Sequence, residues 1–155
     1  MPDSPRPTGV KQPPAPSARD VVLGFLRGVE AGETAAFELV AEDFVQHAAG
    51  PQGREGLKQT AFVLDHDLGP GRVEIHNIVA ENDTVMVHLT LHGRHRASTM
   101  PLLARVPVTE RAVSWTFVHV FRVAGGTIRE HWACRDDLGL LVQLGAWPEP
   151  GAPST

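Results

Sequence analysis

The chain has 155 residues, of which 42% are hydrophobic and 21% charged, and its formal net charge is -4. This length and composition predict one soluble globular domain, and the negative charge provides no basic surface for nucleic acid. No apolar run approaches the roughly 20 residues that a membrane-spanning helix needs, and the N-terminus has no hydrophobic signal core. We therefore expect no nucleic-acid or membrane partner and a cytoplasmic location, which the single cysteine, Cys134, also favours.

Proline marks both ends of the chain. Six of the 13 prolines lie in residues 1–17, and residues 148–155 read PEPGAPST. Because proline lacks an amide donor and fixes φ, both segments are predicted to be a disordered leader and a disordered tail. The folded domain is expected over residues 18–147.

Helical spacing of apolar residues dominates the first half of this domain. Ser17 begins a capping-box pattern before the first predicted helix, which Gly32 can end in a left-handed conformation. A short second helix is predicted from Thr34 to near Asp43, and a third over residues 54–67.

After Gly69-Pro70-Gly71 the apolar period changes from 3.6 to 2, which indicates strands. The predicted strands cover residues 72–81, 84–97, 111–124 and 127–135. Asn82-Asp83 and Gly125-Gly126 favour tight hairpin turns, so the strands that flank them should be antiparallel.

The remaining segments complete the predicted fold. Residues 98–110 contain two prolines and are predicted to form a loop, and residues 138–145 a short C-terminal helix. The whole pattern predicts an α+β fold, with three N-terminal helices packed on a curved, mainly antiparallel sheet. Such a sheet, closed by helices, encloses a pocket.

Alternation along the predicted strands sorts the side chains that face this pocket. The most aromatic row of the third predicted strand contains Trp115, Phe117, His119 and Phe121. In the fourth, Trp132 and Asp136 share the apolar face if the strand stays regular, and His131 lies on the other face. For the second, alternation does not decide whether the row that contains His88 faces inward.

Two adjacent aspartates, Asp136 and Asp137, precede the C-terminal helix. Aspartate is a favoured N-cap, and either residue is suitably placed for that role. One carboxylate suffices for a cap, so the second needs another explanation. A carboxylate on the inner face of a hydrophobic sheet is disfavoured in its charged form, which makes it a better proton acceptor near neutral pH. Asp136 is therefore a candidate general base.

Four fragments together resemble a known family. They are FVQH followed by GREG, NDTVMVHLTLHGRH, HVFRVAGGTIREHW and D-x-LGLLVQLG. In this order and spacing they are similar to the SnoaL-like polyketide cyclases of the NTF2-like superfamily over residues 18–147. The resemblance implies a cone of three helices against a strongly curved sheet, an interior pocket and a homodimer formed through the sheet.

The resemblance also implies a reaction and a set of site residues. In these cyclases one aspartate before the C-terminal helix is the acid/base of an intramolecular aldol condensation that uses no metal or cofactor. That place falls on Asp136, which leaves Asp137 as the cap. A pocket histidine assists, and strand facing assigns this role to His119. His47 and His95 occupy positions that are commonly histidine in the wider family.

The substrate-binding candidates are the histidine and aromatic side chains expected near the pocket. They are His47, His88, His95, Trp115, Phe117, Phe121, His131 and Trp132. The implied partner is a hydrophobic small molecule. One departure leaves its class open, because Thr109-Glu110-Arg111 replaces the family's Thr-Gly-Arg and the loop before it is lengthened.

Other functions on this fold stay open to different degrees. An isomerase-like site would need a tyrosine donor, and the chain has no tyrosine. An epoxide-hydrolase-like site would need an Asp and Arg network, whereas Arg135 should point away from Asp136. No HExxH motif or cysteine cluster indicates a metal site. The alternative from another class is a non-catalytic module for ligand binding or dimerisation.

Overall fold

The computed structural model describes residues 14–147. Within this range the helices are α1 (Ala18–Glu30), a 3₁₀ helix (Thr34–Leu39), α2 (Gly53–Leu68) and α3 (Asp137–Gln143). The strands are β1 (Val40–Gln46), β2 (Arg72–Glu81), β3 (Thr84–Arg94), β4 (Ala112–Ala124) and β5 (Thr127–Arg135). No helix in the described range has the length and apolar character needed to cross a bilayer. The predicted tail, and residues 1–13 of the predicted leader, lie outside the described residues.

The strands form one mixed sheet in the order β1-β5-β4-β3-β2. The β2–β3, β3–β4 and β4–β5 pairs are antiparallel, and β1 runs parallel to β5. The helices cover the inner face of this sheet, so the predicted α+β fold is confirmed. The hairpin turns are also confirmed, because Asn82, Gly125 and Gly126 all have positive φ.

The prediction for residues 40–46 was wrong. The expected second helix is a 3₁₀ helix that ends at Leu39, and the chain then enters β1. The segment VAEDFVQ is short, and its apolar residues fit a helical period as well as a strand. Its strand conformation depends on pairing with β5, which lies more than 80 residues later in the chain. A pattern read locally cannot contain that information.

Helix α1 closes the fold over the sheet. Ser17 and Asp20 form the predicted capping box, in which Ser17 Oγ accepts a hydrogen bond from the Asp20 amide. On the buried face, Phe25 meets Phe37 edge-on at a ring distance of 5.7 Å and Phe121 at 6.3 Å. These aromatic contacts join α1, the 3₁₀ helix and β4 in one core.

The lengthened loop, residues 98–110, folds against the core and is held by Asp67 at the end of α2. The buried Asp67 carboxylate accepts hydrogen bonds from the amides of Thr99 (2.8 Å) and Met100 (2.7 Å) and from Thr99 Oγ1 (2.6 Å). Burial alone would raise the pKa of Asp67, but these hydrogen bonds and one from His66 hold it below the ordinary range. Asp67 is therefore ionised, and its carboxylate holds the start of the loop in place.

The last residue of this loop, Glu110, has a strained backbone conformation. Its replacement by glycine tests how much this strain costs in stability. Glu110 replaces the glycine of the related pattern and has φ 55°, a conformation that costs non-glycine residues about 1 kcal/mol or more. Its side chain is exposed. We expect Glu110→Gly to raise the free energy of unfolding by about 1 kcal/mol in urea denaturation. Asn82→Gly is the matched control at φ 54° and should gain less, because asparagine tolerates this region. A loss of stability in Glu110→Gly would contradict the strain.

Candidate active site

A cavity of about 690 Å³ lies between α1, α2 and the inner face of β2, β3 and β4. Its walls are mainly apolar and include Phe25, Leu26, Val29, Leu64, Leu89 and Leu91. Strand β4 contributes Phe117 and His119. A volume of this size is typical of sites for small organic molecules, and His119 is an ionisable side chain on its inner wall.

The aromatic row of β4 lies on the inner face, as predicted. Trp115, Phe117 and Phe121 are buried, and the His119 ring stacks between Phe117 (5.1 Å) and Phe121 (5.8 Å). Phe117 and His119 reach the cavity, whereas Trp115 and Phe121 pack in the core on either side of it. The row thus contributes both residues that line the cavity and core residues that pack next to them.

A β-bulge changes which residues of β5 face inward. Arg122 pairs with Glu130, but the next residue, Val123, pairs with Ile128, so β5 contains one extra residue at this point. From His131 onward the alternation is therefore shifted by one position. His131 lies opposite Phe121 on the inner face, and Trp132 lies on the outer face.

This shift corrects the prediction for the end of β5. Trp132 and Asp136 do not share the inner face, because the strand is not regular from Ile128 onward. The residue that lies opposite Phe117 on the inner face is Arg135. The sequence pattern assumed an unbroken alternation, and a single inserted residue reverses every assignment beyond it.

The partly buried His119 and two buried polar side chains, His131 and Gln46, form a hydrogen-bonded chain behind the cavity. His119 Nδ1 lies 2.7 Å from His131 Nε2, and His131 Nδ1 lies 2.7 Å from Gln46 Oε1. Burial, together with repulsion from His131 when that ring is protonated and from Arg135, lowers the pKa of His119 to about 3. Burial also lowers the pKa of His131 to about 4, with a contribution from His47. Both rings are therefore neutral at pH 7.

The cap of the C-terminal helix was predicted to be Asp137, and the structure shows that it is Asp136. Asp136 is the N-cap of α3, where its Oδ1 accepts a hydrogen bond of 2.9 Å from the Gly139 amide, and the residue is exposed. Asp137 is partly buried and forms an ion pair with Arg135 at 2.9 Å. The bulge explains this exchange, because it moves Asp136 off the inward-facing positions.

A second polar group lies on the inner face beside Trp115. The Arg135 guanidinium lies over the Trp115 ring at 5.4 Å and contacts Asp137 Oδ2. Trp115 Nε1 and Asp137 Oδ1 are buried and have no hydrogen-bond partner among residues 14–147. This group is not part of the lining of the cavity that His119 faces.

Two predicted site residues lie together on the outer side of the sheet. The rings of His47 and Trp132 stack at 4.3 Å with an angle of 3° between their planes. His47 Nε2 also contacts Glu130 at 2.8 Å, and Arg122 forms an ion pair with the same carboxylate. These contacts hold both side chains on the outer side of the sheet, away from the cavity.

The other predicted histidines are also separated from the cavity. His88 lies on the outer face of β3, where its ring contacts His76 at 4.8 Å. His95 is fully buried and holds the long loop, since its Nδ1 accepts from the Thr109 amide (3.2 Å) and its Nε2 donates to Ser98 Oγ (2.8 Å). His88 therefore makes contacts within the sheet, and His95 stabilises the loop.

Gln46 was missed by the sequence analysis, although it belongs to the fragment FVQH. Its position was predicted to be loop, and a single glutamine in a loop carries no signal of burial. It becomes an inner residue because β1 pairs with β5 in a register that places Gln46 opposite His131. That register depends on β1 being a strand, which the local pattern did not predict.

The family model described as SnoaL-like polyketide cyclase matches residues 20–144. Nogalonic acid methyl ester cyclase of Streptomyces nogalater is 37% identical over 79 residues, which are 50% of this chain and 56% of that protein. Aklanonic acid methyl ester cyclase DnrD of Streptomyces peucetius is 39% identical over 67 residues, 43% of each chain. The chain thus spans about half the length of the curated relatives that it matches.

Solved structures extend the comparison to the whole fold. IdmH from Streptomyces antibioticus is 27% identical and superposes with a TM-score of 0.71 over 83% of this chain and 98% of that one. TsrD from Streptomyces laurentii is 21% identical, with a TM-score of 0.72 over 83% of this chain and 95% of that one. At this identity, the second likeness concerns the fold alone.

The capping role of Asp136 is testable through stability. We expect Asp136→Ala to lower the free energy of unfolding by about 1 kcal/mol, because the Gly139 amide loses its acceptor. Asp136→Asn keeps a side-chain oxygen at the same place and should stay within about 0.5 kcal/mol of the wild type. Urea denaturation measures both variants. An equal loss in both would mean that the carboxylate charge, and not the cap, is the stabilising feature.

Proposed function

This chain belongs to the SnoaL-like polyketide cyclase family, and from that membership and the geometry of its cavity we propose that it is a cyclase. The proposed reaction is an intramolecular aldol condensation of a carbonyl-rich, polyketide-like substrate by acid/base catalysis, without a metal or cofactor. The observation that carries the proposal is His119, a neutral imidazole on the wall of an apolar cavity.

His119 is the proposed acid/base group. Its Nδ1 is engaged by His131, and Nε2 has no hydrogen-bond partner within residues 14–147, which leaves Nε2 for a bound molecule. In the first step, the C–H bond between two substrate carbonyls breaks, the proton moves to Nε2, and the electron pair forms an enolate. The enolate carbon then attacks a second carbonyl, which closes the ring and leaves an alkoxide. The imidazolium returns its proton to this alkoxide, so the net reaction is an isomerisation.

The pKa of His119, about 3, keeps the ring neutral at pH 7 and also makes it a weaker base than an ordinary imidazole. A neutral ring is ready to accept a proton at pH 7. When the enolate forms beside it, the opposite charge favours the imidazolium, and the apolar walls strengthen this attraction because little water screens it. Charge therefore appears on the ring only together with the charge that it stabilises.

The substrate class is proposed from the relatives and from the charges of the cavity. Both relatives named above are cyclases of methyl esters. In the described part of the chain, the charged side chains that line the cavity are Lys58 and the carboxylates Glu30, Glu33 and Asp65. This excess of carboxylates disfavours a substrate with a free carboxylate, so we propose an esterified, uncharged one.

Substitutions at His119 and Asp136 distinguish the two proposed bases. With aklanonic acid methyl ester or nogalonic acid methyl ester as the substrate, we expect His119→Phe to lower kcat about 10²- to 10⁴-fold, the range for loss of a general acid/base. Asp136→Asn keeps the cap and should retain most of the activity. His88→Gln, on the outer face, is the matched histidine control and should behave as the wild type. Product formation is followed by chromatography.

Three outcomes would decide against this assignment. Full activity in His119→Phe would remove His119 from the mechanism. A large loss confined to Asp136→Asn would return the role of base to the carboxylate that the family resemblance indicated. Binding of both esters without turnover by the wild type would favour the non-catalytic, ligand-binding alternative.

We also propose a homodimer formed through the outer face of the sheet. Val79, Met86 and Trp132 are exposed large hydrophobic residues, and together with Val120 they form one row across four strands. Such a row is typical of a surface that a second protein molecule covers.

The dimer is tested by placing a charge in this row. Met86→Glu should make the protein monomeric in multi-angle light scattering, because the dimer would have to bury a carboxylate. Val142→Glu is the control, since Val142 is an exposed apolar residue on α3. A wild-type protein that is monomeric at tens of micromolar would rule out the proposed dimer.

A cytoplasmic location is proposed on the basis of the cysteine content. Cys134 is the only cysteine in the sequence and is exposed as a free thiol. A free thiol suits a reducing compartment. Recovery of the protein in the secreted fraction after cell fractionation would contradict this location.

A further inference from the structure

The hydrogen-bonded chain behind the cavity connects three strands. It begins at His119 on β4, continues through His131 on β5 and ends at Gln46 on β1, with both links at 2.7 Å. His131 and Gln46 are buried, with 6% and 7% of their surface exposed. The protons of this chain must therefore be arranged by the side chains themselves, because little solvent reaches them.

The orientation of the Gln46 amide is fixed by a backbone donor. The Ala48 N–H lies 3.3 Å from the same Gln46 Oε1 that faces His131. A backbone N–H only donates, so this atom is the amide oxygen. Gln52 holds the Gln46 backbone on both sides, because its Oε1 accepts from Gln46 N (2.9 Å) and its Nε2 donates to Gln46 O (2.8 Å).

This orientation determines the positions of the ring protons. Because Gln46 Oε1 is an acceptor, His131 Nδ1 must carry a hydrogen and donate it. A neutral His131 then has a lone pair on Nε2, so the hydrogen shared with His119 belongs to His119 Nδ1. In a neutral His119 the remaining nitrogen, Nε2, has a lone pair. The neutrality of both rings at pH 7 follows from their lowered pKa values.

We propose that Gln46 and His131 are positioning residues that hold His119 in the tautomer whose unprotonated Nε2 is available to the cavity. This inference rests on the proposed function of His119 as the group that takes a proton from carbon. In the other tautomer, Nε2 carries a hydrogen and cannot accept one. Gln46 thus acts on the reaction through two hydrogen bonds and without contact to the substrate.

The substitution Gln46→Glu should reverse the direction of the hydrogen bond between His131 and His119. A carboxylate at this place favours the imidazolium form of His131, which would then donate from both ring nitrogens. His131 Nε2–H would point at His119 Nδ1, and the hydrogen of His119 would move to Nε2. The same change at an exposed position, Gln59→Glu, is the matched charge control.

The tautomers are read directly from the ¹⁵N chemical shifts of histidine-labelled full-length protein, without substrate. In the wild type at pH 7 we expect His119 and His131 to be protonated on Nδ1 and unprotonated on Nε2. In Gln46→Glu, His119 should be protonated on Nε2, and with aklanonic acid methyl ester kcat should fall at least about 100-fold while KM changes little. Gln59→Glu should show the wild-type spectrum and activity.

The NMR spectrum tests the positioning of His119, and the activity tests its proposed function, so each claim can be contradicted without the other. A wild-type His119 protonated on Nε2, or an unchanged His119 in a folded Gln46→Glu with a charged His131, would overturn the inference whatever the activity. The predicted tautomers in a protein that turns over neither ester would leave the positioning in place and overturn the proposed function. If Gln46→Glu does not fold, Gln46→Met removes the acceptor without a charge, and a His119 that stays in one tautomer there would also overturn the inference.

Discussion

The β-bulge between β4 and β5 is the constraint on which the geometry of the site depends. One extra residue next to Ile128 turns His131 inward and Trp132 outward. Without it, a tryptophan would occupy the place behind His119 and an aspartate would follow on the same face. With it, the last strand contributes an imidazole to the inner face, and Asp136 is available to cap α3.

The parallel pairing of β1 with β5 provides what this buried imidazole requires. Polar groups in an aromatic core are stable only when they are hydrogen-bonded, and an unpaired one costs about 1–3 kcal/mol. The register places Gln46 directly opposite His131, and the amide accepts the hydrogen that the ring must donate. The same contact therefore stabilises the core and decides which nitrogen of His119 is left for a ligand.

Some features of this fold are determined by neighbouring residues in the sequence, and others by pairing between distant segments. The capping box at Ser17, the hairpin turns and the inward row of β4 are encoded within a few residues, and the sequence predicted them. Strand β1 and the bulge depend on pairing between segments that are distant in the sequence, and both were missed. The inward position of His119 follows from local alternation and was predicted, whereas the inward position of His131 and the burial of Gln46 depend on non-local pairing and were not.

There is a physical reason why a neutral imidazole suits the wall of this cavity. A carboxylate on an apolar inner face needs a cation or several donors, and Asp137 has the Arg135 guanidinium. An imidazole needs no such partner while it is neutral, and it becomes charged only when an anion forms beside it. In a cavity walled by Phe117 and leucines, a neutral imidazole such as His119 is therefore less costly to bury than an ionised aspartate.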